Sequence, residues 1–144
     1  MVPTLRGRIE TRIFILAVIG SLWTLLITPL LPVSAPLGDK YHTTYTVLAV
    51  VLVLGIGWEF VYHALMQFRW EKDWPALFGF FTAIPEGILV WIVMSSGAAP
   101  GDVKVTGAAF LIHFATTWVV CWIFVNGPMR VLTIHWRFRG GRLL

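Results

Sequence analysis

Charge is scarce in this chain. Asp, Glu, Lys and Arg make up 12% of 144 residues, against 58% hydrophobic residues and a mean hydropathy of +0.80. That deficit excludes an ordinary soluble domain, in which about a quarter of residues are charged. Cysteine is nearly absent, and the single Cys121 lies in an apolar run, so there is no disulfide framework and no cysteine pair for a metal. The sequence also has no Gly-rich phosphate loop, no Cys-x-x-Cys and no Ser-His-Asp grouping. A di-iron bundle needs paired Glu-x-x-His motifs, which are missing. No catalytic residue, cofactor or metal is therefore assigned, and an enzyme is the less favoured class. Acids are outnumbered, 7 against 11 Lys plus Arg. The cations flank hydrophobic runs, which points to lipid headgroups and membrane topology and away from nucleic acid.

What the chain does have is four long apolar runs. The first, from Ile13 to Leu31, is uncharged for 19 residues, close to the roughly 20 that cross a bilayer as a helix. A cleaved signal peptide competes for this stretch, with Val33-Ser34-Ala35 as a small-residue site. The run exceeds a usual h-region, however, and Pro36 would follow the cut, so it is read as a span. Further spans are expected at about 45–65, 75–95 and 105–125. Gly and Pro clusters or polar turns separate them, including the mixed-charge loop 67–74 with its tryptophans. The expected fold is an all-α membrane protein, an up-and-down bundle of four transmembrane helices spanning residues 1–128, with a basic, aromatic tail over 129–144.

Nine of the eleven cations, among them Arg6, Arg8, Arg12, Arg69 and Lys72, fall on the side shared by both termini; only Lys40 and Lys104 fall on the other. The positive-inside rule then places both termini in the cytoplasm, most simply of a bacterial cytoplasmic membrane. In the tail, Leu132, Ile134, Trp136 and Phe138 alternate at period two among Arg130, Arg137, Arg139 and Arg142. These arginines are expected to meet anionic headgroups or a partner.

The candidate site lies inside the apolar runs. Pro85 and Glu86 sit side by side in the third. A carboxylate at mid-bilayer costs several kcal/mol unless paired, roughly 2.5 to 3.5 on insertion scales, and so marks function by default. Proline removes a helix hydrogen bond and frees the carbonyl of Phe81, giving a kink beside the acid. Glu59 and His63 share one face of the second span, and His113 lies near the middle of the fourth. Counting depth at about 1.5 Å per residue makes His63, Glu59, Glu86 and His113 a polar staircase from the cytoplasm to the midplane, with His113 the expected partner of Glu86. Gly79, Ala83 and Gly87 recur every four residues as a close-packing strip. Ala17, Ser21, Thr24 and Thr28 form a second seam on the first span.

Two functional readings follow. The first is a small non-catalytic integral-membrane subunit of a larger complex, of transport or electron-transfer type. The alternative is a small homo-oligomeric transporter or channel linked to protons or a cation. The expected partners are other membrane subunits or further copies of the chain.

Overall fold

The computed structural model describes residues 3–69, 75–101 and 103–144, and among these every regular element is helical. Four helices are long and apolar enough to cross a membrane. They are α1 (Leu5–Leu30), α2 (Leu37–Gln67), α3 (Ala76–Ser95) and α4 (Gly107–Asn126), the last extended by the short α5 (Pro128–Leu132). A final short helix, α6, covers Ile134–Phe138. Most of the loop expected at 67–74 lies outside the described residues.

Helix α1 begins well before the uncharged run. Thr4 caps it by accepting the Gly7 N–H at 3.1 Å, which satisfies one of the free donors of a helix start. Arg6, Arg8 and Arg12 are therefore inside the helix and do not form a flank outside it. The middle of α1, Ile15–Gly20, is a π-helical segment between α-helical Leu5–Phe14 and Ser21–Ile27. Its effect is geometric. Arg8, Arg12, Leu16, Gly20, Thr24 and Thr28 recur every four residues, a stripe that drifts by about 40° per step around a helix of 3.6 residues per turn. The wider π turns take back part of that drift, so the stripe stays on the inner face of the bundle. The seam predicted on this span is shifted accordingly: Thr24 and Thr28 are buried, and Ala17 faces outward.

Helix α2 has 31 residues, about 46 Å at 1.5 Å per residue, and so overruns a hydrocarbon core of about 30 Å. Its added turns include Asp39, Lys40 and His42, from the polar stretch between the first two expected spans. Helix α3 breaks at Thr82, between Ala76–Phe81 and Ala83–Ser95. Pro85 explains the break, since it cannot donate to the Phe81 carbonyl. Thr82 eases it by bonding through Oγ1 to the Gly79 carbonyl at 2.9 Å, and Glu86 N–H resumes the ladder to Thr82 O at 3.3 Å.

Helix α1 packs against α2 and α4, and α3 packs on α2 and along α4. The partition of side chains is inside-out. Thr24 and Thr28 are 0% exposed and Glu86 1%, while Leu26 is 65% and Val53 68% exposed. Such a surface suits lipid, which dissolves leucine but offers a threonine or glutamate nothing to bond with.

The tail folds back. Met129 and Trp136 are buried, and the two ends of the chain meet: Thr4 N–H donates to Gly140 O at 2.9 Å and Thr11 Oγ1 to Gly141 O at 3.0 Å. Trp136 Nε1 donates to Thr11 Oγ1 at 2.7 Å, and Leu143 N–H to Glu10 Oε2 at 2.8 Å. Gly7 permits this approach, because a Cβ there would lie 2.7 Å from the Gly141 carbonyl carbon. The period-two alternation is thus resolved into two short helices, with Val131, Leu132, Ile134 and Phe138 exposed beside exposed Arg130, Arg137 and Arg139.

Candidate functional site: a buried arginine–glutamate cluster

Arg8 and Arg12, four residues apart on α1, point from one face into the bundle, where Glu59 of α2 and Glu86 of α3 meet them. Arg12 Nη1 and Nη2 bond the two oxygens of Glu86 at 2.7 and 2.9 Å, a two-pronged pairing. The same guanidinium donates Nε to Glu59 Oε1 at 2.7 Å. The other Glu59 oxygen accepts Arg8 Nε at 2.6 Å. Each of the four carboxylate oxygens therefore has a guanidinium N–H, and two cations balance two anions. The side chains of Arg12, Glu59 and Glu86 are 11%, 8% and 2% exposed. Tyr62, one turn after Glu59, is buried close to Glu86.

Local sequence makes room for this. Gly55 lies one turn before Glu59, and a Cβ there would meet the Arg12 guanidinium, its Cζ at 3.0 Å. Gly87 admits the Phe114 ring, whose Cε1 would be 2.8 Å from an added Cβ. Ala83 packs against the core, whereas Gly79 has open space beside it. Of the two glycines in the strip expected to pack closely, Gly87 makes a tight approach and Gly79 does not.

The structure brings Glu59 and Glu86 together and takes both histidines elsewhere. His113 does not partner Glu86; its Nε2 lies 2.9 Å from Thr24 Oγ1. Below Thr24, Thr28 Oγ1 donates to Thr24 O at 2.6 Å and pairs with Thr44 Oγ1 at 2.9 Å, so a buried threonine column runs beside His113. His63 is half-buried and bonds Gln67 at 3.4 Å, not Glu59. Thr116 bonds backbone, at Ile112 O, and receives Trp23 Nε1 at 3.0 Å. Exposed Arg130 bonds Asn126 at 3.0 Å, and Arg137 lies over the Phe138 ring at 5.8 Å.

Two cavities meet at His113. One, of about 270 Å³, runs past Arg12, Glu59, Thr117 and Trp118 toward Trp136 and Arg130. The other, of about 380 Å³, opens among Asp39, His42 and Lys104. Three residues of the first cavity's wall also carry a fully buried polar atom with no hydrogen-bond partner among the described residues: His113 Nδ1, Thr117 Oγ1 and Trp118 Nε1.

Sequence reasoning missed Arg8 and Arg12 because it spent them on topology. The signal was present: two isolated acids in apolar spans each require a cation, and two arginines four apart lie next to the first run. No protein-family model, curated protein or solved structure matches the chain.

Proposed function

We propose that this chain is a small non-catalytic integral-membrane subunit of a larger complex, of transport or electron-transfer type, whose internal charge cluster locks three of its four helices together. The single observation that carries this reading is the saturation of both carboxylates by Arg8 and Arg12. A site that carries a cation needs a carboxylate with free oxygens, whereas a four-sided ion pair fixes α1, α2 and α3 relative to one another. The exposed aromatic and aliphatic outer faces suit a neighbouring membrane subunit as well as lipid. Both termini are cytoplasmic in this reading, in a bacterial cytoplasmic membrane. Support comes from the lysine and arginine asymmetry and from the contact of Thr4 with Gly140, which puts the two ends on one side of the bundle. Arg130, Arg137 and Arg139, with the exposed apolar residues between them, then rest on anionic headgroups.

The second reading is a homo-oligomeric proton- or cation-linked transporter. His113 is the observation in its favour, because it lines both cavities. The readings part on what the purified chain does alone. A subunit co-purifies stoichiometrically with larger membrane proteins under mild solubilisation and is inert in proteoliposomes. Proton or cation flux by the chain alone, abolished by Glu86→Gln or His113→Phe, would replace the first reading with the second.

A further inference from the structure

The cavity of about 270 Å³ lies among all four long helices and ends where the two chain ends meet. Arg12, Glu59 and His113 line its inner part; Gly7 and Thr11 of α1, with Trp136 and Gly141 of the tail, line the other end. The π segment of α1 packs on α4, whereas the part before it, Leu5–Phe14, packs on α2. Trp136 covers Thr11 of that part, buried and with its indole N–H on the hydroxyl. The tail is therefore part of the cavity wall.

It is also a separable part. Gly127 and Thr133, both with non-helical backbone, are joints at the two ends of α5, so the tail can swing without unwinding α4. Gly140 and Gly141, at φ 63° and 85°, turn the chain back, and Gly141 N–H closes that turn on Trp136 O at 3.0 Å. A short segment held by a few polar bonds and one buried ring opens before the bundle does. Its residues divide by face. Trp136 is inward, while Ile134, Arg137, Phe138 and Arg139 are exposed. Docking and an outer contact thus use different side chains, and the second reinforces the first. Charge says what the outer contact is. Residues 129–144 hold four arginines and no acid, and among the described residues none of these arginines pairs with a carboxylate. Cations interleaved with exposed isoleucine and phenylalanine at the ends of membrane-length helices fit an anionic headgroup layer, which takes both.

We infer that the tail is a lid on this cavity and that an anionic membrane surface holds it shut, gripping the outer face while Trp136 and the Gly140–Gly141 turn close the inner one. The inference rests on the reading that the tail arginines meet headgroups. Lifting the lid admits water to the wall that carries Arg12 and Glu59. Cys121, buried in that wall and the only cysteine in the chain, reports the opening.

The test treats full-length protein in nanodiscs with a charged methanethiosulfonate and follows modification of Cys121 by intact mass. In phosphatidylcholine discs, Gly7→Leu and Trp136→Ala are each expected to speed modification by on the order of tenfold over the wild type. Phosphatidylglycerol in the discs slows the wild type by on the order of fivefold for each arginine that meets the surface. Arg137→Gln combined with Arg139→Gln removes most of that slowing. Melts establish that the variants are folded; if Trp136→Ala does not fold, Gly7→Leu decides. Modification of the wild type as fast as that of Gly7→Leu, or a wild-type rate that phosphatidylglycerol does not change, overturns the lid. Trypsin cleavage after Arg137 and Arg139 in the same discs reads the headgroup contact by itself. Protection by phosphatidylglycerol with unchanged Cys121 rates defeats the lid and leaves the headgroup reading standing; no protection defeats both.

Discussion

Arg12 holds both oxygens of Glu86 with its two terminal nitrogens while its Nε holds Glu59, so one guanidinium ties together three helices. Removing one partner of a buried ion pair strands the other charge in a medium that cannot solvate it, at a cost of about 3–5 kcal/mol. Arg12→Met is therefore expected to destabilise the bundle by that amount. The double variant Arg12→Met, Glu86→Met should lose less than the two single changes combined, with a coupling of about 0.5–3 kcal/mol. Unfolding free energies from detergent titration in mixed micelles measure both. Additive losses would show that the pair is not energetically linked.

Gly55 tests the same cluster from the backbone side. A methyl group there runs into the Arg12 guanidinium, and overpacking of a tight interior costs about 1–3 kcal/mol. Gly57 faces outward on the same helix with nothing near its Cβ position. Gly57→Ala should stabilise by about 0.5–1 kcal/mol, as alanine does in a helix interior. Gly55→Ala should destabilise despite the same gain in propensity. The same stabilising melting shift in both variants would remove Gly55 from the site.

How much of this was legible follows from which forces act locally. Four apolar runs of near-span length reveal the helices, because each needs its own hydrophobic length to be satisfied. Glu59 and Glu86 stand out because an acid in such a run has no neutral explanation. Their partners did not, because pairing is tertiary: Arg8 and Arg12 lie 47 residues or more from Glu59 in sequence. Counting depth from straight spans also misled. It made His113 the partner of Glu86, whereas both acids reach the Arg12 guanidinium and His113 meets Thr24. The π segment of α1 has no signature in its sequence, Ile15–Gly20, that separates it from ordinary helix.

Thr24 is the sole side-chain partner of His113 among the described residues and is fully buried. Thr24→Val keeps the shape and deletes the hydroxyl, leaving His113 Nε2 unsatisfied at about 1–3 kcal/mol. Thr116→Val removes a hydroxyl that bonds backbone and the Trp23 indole nearer the surface, and should cost less. Comparing the two variants by the same unfolding titration checks the ranking; a larger loss for Thr116→Val would show that the threonine column does not support His113.

The tail is held by few, specific contacts, and that makes its release measurable. Gly7 touches the Gly140–Gly141 backbone so closely that any larger residue pushes the tail away. Trp136 is buried with its indole N–H on Thr11, a bond worth about 1 kcal/mol beyond the area the ring covers. Gly7→Leu is expected to detach residues 134–144 without unfolding the membrane helices, since α1 keeps its Arg12 clasp on α2 and α3. Trypsin added to protein in nanodiscs should then cut at Arg137, Arg139 and Arg142 several-fold faster than in the wild type, while the melting of the bundle changes little. Trp136→Phe, which keeps most of the buried ring and loses the hydrogen bond, should give an intermediate rate. Cleavage at the wild-type rate in both variants would mean that the tail is held by contacts other than those of Gly7 and Trp136.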